Sequence, residues 1–203
     1  MALHLTVSSL QRSHYILRTQ RVDQVISVLP KIETEQDPTD YISLFRTPRV
    51  DAKTKHDWIE VADALSGDDF IDASSIAGWK RDLPKDFPEY EHVRDLIGHL
   101  QHAIDRGNRM DSWHLLIHCH GGVSRSTAAA YIGLCMIYGV DASARCAELL
   151  PTIIGLPHPD PNILLVHYAD QILGGHGQMT RAIIDLKHRL RTRVTAPAVA
   201  HAR

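Results

Sequence analysis

Trp113-His114-Leu115-Leu116-Ile117-His118-Cys119-His120-Gly121-Gly122-Val123-Ser124-Arg125-Ser126-Thr127 reads as a strand, a tight loop and the start of a helix. The apolar run Trp113 to Ile117 leads in, two glycines sit in the middle, and a small-residue run from Ser126 to Ala130 leads out. A strand–loop–helix turn of this kind wraps backbone N–H groups around a tetrahedral anion. The helix N-terminus adds positive potential at the same point.

Within this stretch a cysteine and an arginine stand six positions apart with no lysine between them. A thiol at a helix N-terminus beside a cation is drawn toward its thiolate form, which makes Cys119 a candidate nucleophile. Gly121 and Gly122 let the backbone turn sharply and approach the anion closely. The main chain of His120, Gly121, Gly122, Val123 and Ser124 is the expected cradle. Arg125 can present its planar fork to two oxygens at once. Ser126 places a hydroxyl where it can hydrogen-bond the sulfur and assist its later departure.

The pattern His118-Cys119-x5-Arg125-Ser126 resembles the signature of the cysteine-dependent protein tyrosine and dual-specificity phosphatases. A wider stretch, from about Leu115 to Met179, is similar to compact bacterial members of that family, and Pro161-Asn162 with the apolar run to Leu173 fits the segment after the signature helix. The resemblance implies a phosphoric monoester hydrolase working through a cysteinyl-phosphate, without metal or cofactor. It implies a phosphorylated protein or peptide as substrate, phosphotyrosine first, with phosphoserine and phosphothreonine as further candidates. A phosphoinositide or RNA 5′-phosphate is an alternative substrate. A catalytically weak phosphate-binding module is a non-enzymatic alternative. Phosphoinositide enzymes of this type often carry lysines in the loop, and this loop has none.

Such chemistry also needs a proton for the leaving group. Similar enzymes carry an Asp just after the strand that precedes the long helix leading to the signature, and Asp63 matches that position. Asp63 lies 56 residues before Cys119, whereas Asp86 lies 33 before it, nearer the spacing of compact members. Asp86 reads as a helix N-cap, and Asp68, Asp69, Asp72 and Asp82 fall in the intervening loop. Asp63 is the preferred acid, and the others stay open.

A chain of 203 residues, 44% hydrophobic, can bury one sizeable core. One catalytic domain over 1–190 is expected, followed by a basic, solvated tail over 191–203. A formal charge of −2 gives no pull toward nucleic acid or anionic membrane. No apolar run approaches the ~20 residues that span a bilayer. The first residues show no secretory signal, and three cysteines make no disulfide framework. A cytoplasmic location without a membrane anchor is the resulting expectation.

Strands are expected over Leu3–Val7, Gln24–Leu29, Trp58–Ala62 and Leu115–Cys119. Helices are expected from Asp86 to a stop at Gly107, from Ser126 to Tyr138, from Asp141 to Leu150, from Asp160 to Leu173 and from Gln178 to Leu190. Strands alternating with helices predict an α/β fold with a mainly parallel sheet covered on both faces. Sites in such sheets lie at the carboxyl ends of the strands. His118 reads as a loop-orienting residue and Asn162 as a capping or bracing one. Cys135 and Cys146 sit in helical, apolar surroundings that suit core packing. The 14 histidines form no paired ligand motif.

Overall fold

The structure, a computed structural model, describes residues 3–30, 50–61 and 88–195. Among these, four strands alternate with helices: β1 (Leu3–Ser9), α1 (Leu10–Thr19), β2 (Gln24–Leu29), β3 (Lys55–Glu60), α2 (Tyr90–Arg109), β4 (Trp113–Cys119) and α3 (Arg125–Tyr138). A short 3-10 turn (Val140–Ala142) leads into α4 (Ser143–Ile154), α5 (Ile163–Ile172) and α6 (Gln178–Thr195). The sheet order is β1-β4-β2-β3, and every pairing is parallel.

Alternation along the strands builds two unequal cores. Leu115, Ile117 and Cys119 of β4, with Ile26 and Val28 of β2, face the main core formed with α2 to α6. Leu116 and Val25 face the other side and meet Ile16 of α1. Both faces are therefore covered, as parallel strands require. Helix α3 is buried around its whole circumference from Arg125 to Cys135, which marks it as the central helix.

Several boundaries differ from the sequence reading. Strand β3 starts at Lys55 and ends at Glu60, because Lys55 N–H already pairs with the Asp23 carbonyl at 3.0 Å. Helix α2 begins at Tyr90 with Glu89, not Asp86, as its N-cap. The Glu89 N–H donates to His92 Nδ1 at 3.1 Å, so the histidine closes the first turn from within the helix. Gly107 does not stop α2. It is buried inside the last turn, where a Cβ would come 2.9 Å from Leu3 Cβ. Asp141 lies in the 3-10 turn and caps nothing, and α4 continues to Ile154 with Pro151 inside it. Helix α5 starts at Ile163, and α6 runs to Thr195, past the expected tail boundary. None of the helices among the described residues is long and apolar enough to cross a membrane.

Candidate active site

The loop from Cys119 to Arg125 joins β4 to α3 at the carboxyl edge of the sheet. Cys119 ends its strand and is 1% exposed. Its sulfur lies 3.2 Å from the Gly122 N–H, which donates to it, and 3.2 Å from Ser126 Oγ. A backbone N–H and a serine hydroxyl thus converge on one sulfur beside the N-terminus of a helix. Ser126 is fully buried in the first turn of α3. Arg125 is buried as well, and its Nη1 donates to the Val61 carbonyl at 2.8 Å. That bond ties the guanidinium to the end of β3, the strand after which the chain proceeds to Asp63.

Of the two loop glycines, only Gly122 takes a positive φ, +75°. A Cβ on it would sit 2.5 Å from Ser9 N and 2.6 Å from Ser8 C. The loop is therefore pressed against the end of β1, and the Leu10 N–H donates to the His120 carbonyl at 3.1 Å. Gly121 is exposed with open space around its Cα, so its close-approach role is not used by the protein itself. His120 and Val123 are exposed on the rim, and Ser124 is buried beneath it.

The segment before α5 braces the loop from the other side. Asp160 N–H donates to the Val123 carbonyl at 3.1 Å, and Asn162 N–H to the Ser124 carbonyl at 3.3 Å. Asn162 is buried and caps α5, its Oδ1 accepting from Leu165 N–H at 3.2 Å. Thr127 Oγ1 donates to the Val123 carbonyl and, at 2.8 Å, to the Ser124 carbonyl. Asp160 in turn pairs with Lys187 of α6 at 2.6 Å. Lys187 is buried, so the basic run after it is anchored at its start rather than frayed.

His118 is fully buried on the α1 face of the sheet, opposite the sulfur, and its Nε2 lies 2.7 Å from Ser27 Oγ of β2. Burial pushes it down to about 4, against a weaker upward pull from the Cys119 backbone. It is a neutral ring at physiological pH. Cys135 and Cys146 are buried in the main core, and burial pushes the Cys135 thiol up to about 12 and Cys146 upward as well. They are inert thiols, and Cys119 is the one set at a loop.

Cys119 Sγ and Ser126 Oγ meet at 3.2 Å, and Arg125, at the start of α3, reaches the Val61 carbonyl. Asp63 and its rivals Asp68, Asp69, Asp72, Asp82 and Asp86 lie outside the described residues. The sequence reading missed Ser8 and Ser9 under the loop, the Val61 carbonyl on the arginine, Ser27 behind His118 and the Asp160–Lys187 pair. The paired glycines were the signal for a close approach, but nothing local names its partner.

The solved structure of the human tyrosine phosphatase-like serine/threonine/tyrosine-interacting protein superposes with a TM-score of 0.51. The match covers 83% of this chain and 87% of that one at 14% identity. The chain shares the fold of that tyrosine phosphatase-like protein. At this identity the likeness speaks for the fold alone. Human DUSP28 is similar at a TM-score of 0.46 and 15% identity, covering 93% of this chain and 96% of its own. PTPMT1 is similar at 0.45 and 14%, covering 94% of each chain. No family model matches the sequence, and neither does any curated protein.

Proposed function

We propose that this protein is a cysteine-dependent phosphatase that hydrolyses phosphotyrosine in proteins or peptides, with phosphoserine and phosphothreonine as further substrates. The observation that carries the reading is the convergence of Gly122 N–H and Ser126 Oγ on Cys119 Sγ, each at 3.2 Å. In the first step the Cys119 sulfur attacks phosphorus and the P–O ester bond breaks. Asp63 gives its proton to the leaving oxygen. The loop N–H groups and the Arg125 fork meet the charge on the three equatorial oxygens. In the second step Asp63 takes a proton from water, the water oxygen bonds to phosphorus, and the S–P bond breaks. Ser126 donates to the departing sulfur. No metal or cofactor enters either step.

Asp63 follows Val61 by two residues, and the Val61 carbonyl holds Arg125, which favours it over Asp86 as the acid. The substrate is a phosphorylated protein or peptide. The test is hydrolysis of a generic aryl phosphate with a metal chelator present, with Cys119→Ser alongside. Turnover that survives the chelator and disappears in the variant is the expected result. A well-folded wild type without turnover overturns the reading.

A further inference from the structure

Ser27 Oγ lies between two imidazoles, 2.7 Å from His118 Nε2 and 2.8 Å from His56 Nε2. The three residues come from three adjacent strands, β4, β2 and β3, and all lie on the α1 face of the sheet. Ser27 and His118 are fully buried, whereas His56 is only half-buried and stands beside Trp58, ring centroids 6.0 Å apart. The chain of contacts therefore runs from the partly exposed edge of the sheet to the residue immediately before Cys119.

A serine hydroxyl has one proton to give and lone pairs to accept with. Bonded to two Nε2 atoms at once, it can donate to at most one of them and must accept from the other or from both. At least one of the two Nε2 atoms must therefore carry a proton. The arrangement fixes the ring orientation of His118 through a hydrogen bond that buried polar groups cannot forgo cheaply. His118 is the last residue of β4 before Cys119, where the strand hands over to the loop. Its orientation sets the backbone from which Cys119 presents its sulfur to Gly122 and Ser126. We propose that Ser27 and His56 are positioning residues for Cys119, acting through His118 to hold the sulfur within reach of the Gly122 N–H and Ser126 Oγ. The proposal rests on Cys119 being the nucleophile of the reading above, but its test needs no turnover.

The measurement is the pH profile of Cys119 alkylation by iodoacetate in the full-length protein. Cys135 and Cys146 are buried with raised pKa and do not compete. The titratable groups pressing on His118 are His56 on β3 and His14 on α1. His56 itself feels Asp57 next to it on β3. Loss of one such hydrogen bond corresponds to roughly a twofold to tenfold change. Ser27→Ala is expected to slow alkylation at pH 6 by that factor and to shift the profile toward higher pH. His56→Leu is expected to do the same in smaller measure, and His56→Gln, whose amide can still donate, to restore the profile. Because His56 is half-buried, its variants remain informative if Ser27→Ala fails to fold. Wild-type profiles in both His56→Leu and a folded Ser27→Ala overturn the proposal. So does 15N NMR of the wild type if neither Nε2, of His118 or of His56, carries a proton. A protein that fails to hydrolyse phosphoesters but shows these shifts would sink the phosphatase reading and leave this one standing.

Discussion

At the scale of single residues the loop leaves little slack. Gly122 has a φ of +75° and backbone atoms of Ser8 and Ser9 where a Cβ would go. An L side chain in that conformation costs about 1–3 kcal/mol before any clash, and the obstructing atoms are main chain that cannot rotate away. Gly122→Ala is therefore expected to lower the melting temperature and to lose most turnover, whereas Gly121→Ala, with open space around it, keeps its stability. Equal melting temperatures for the two variants would show that the loop is not pressed against β1. Ser126 makes a separable contribution. If it donates to the departing sulfur, Ser126→Ala slows breakdown of the cysteinyl-phosphate about 10-fold or more while leaving its formation nearly intact. The sign is a burst of the aryl alcohol followed by slow turnover, and a uniform slowing of both phases would contradict the assigned role. These residues were legible because their chemistry is local: a cysteine, two glycines and an arginine at fixed spacing describe one turn of chain. Ser8, Ser9 and Ser27 were not, since each reaches the site through a neighbouring strand, and sheet order is invisible to spacing.

At the scale of elements, the reading succeeded where periodicity was strong and failed at ends, which packing decides. Helix α2 shows its face plainly in Val93, Leu96 and Leu100, all buried. Its start depended on His92 turning back to the Glu89 N–H, and Gly107 stayed in the helix because Leu3 needed the room. Strand β3 was read late because Lys55, His56 and Asp57 look like loop residues. They are polar partners of the sheet and of α2: Asp57 meets Gln24 Nε2 at 2.7 Å and His99 Nδ1 at 3.1 Å. The link between α4 and α5 ties helix packing to the site. Asn162 caps α5, and its backbone N–H holds the Ser124 carbonyl. Asn162→Ala removes the cap, a loss of about 1 kcal/mol. It is expected to lower the urea midpoint and to reduce kcat by a few-fold, because the segment that braces the loop loses its fixed start. A stability loss with no change in kcat would separate the brace from the chemistry. The Asp160–Lys187 pair extends the same support to α6. Truncation after Arg191 is accordingly expected to leave a folded, active protein, and truncation before Lys187 to lose soluble expression.

At the scale of the whole molecule, the parallel α/β architecture followed from strands alternating with helices. Placing the site at the carboxyl edge followed from that, before any side chain was located. What the sequence could not supply was the polar content of the sheet. A hydrophobic reading of strands does not foresee Gln24, Ser27, Asp57 and His118 buried within it. That interior has a consequence for the stability of the entire fold. His118 is held at about 4 when folded, against 6.5 for an ordinary histidine, and His56 is lowered too, both because burial disfavours the charged ring. Below about pH 6.5 the unfolded chain takes up a proton at His118 that the folded chain refuses until about pH 4. The unfolded state then binds more protons, so stability falls as pH falls through this window and is fully present above it. Each pH unit within the window corresponds to about 1.4 kcal/mol for one such group, so His118 accounts for about 2 kcal/mol between pH 6.5 and 5. Urea unfolding at pH 7 and pH 5 measures this, with His118→Gln as the comparison, since carboxylates contribute equally to both proteins. The wild type is expected to lose about 2 kcal/mol more than the variant over that interval. Parallel losses would mean that the ring is protonated in the folded sheet, and the Ser27 bridge between two neutral imidazoles would fall with it.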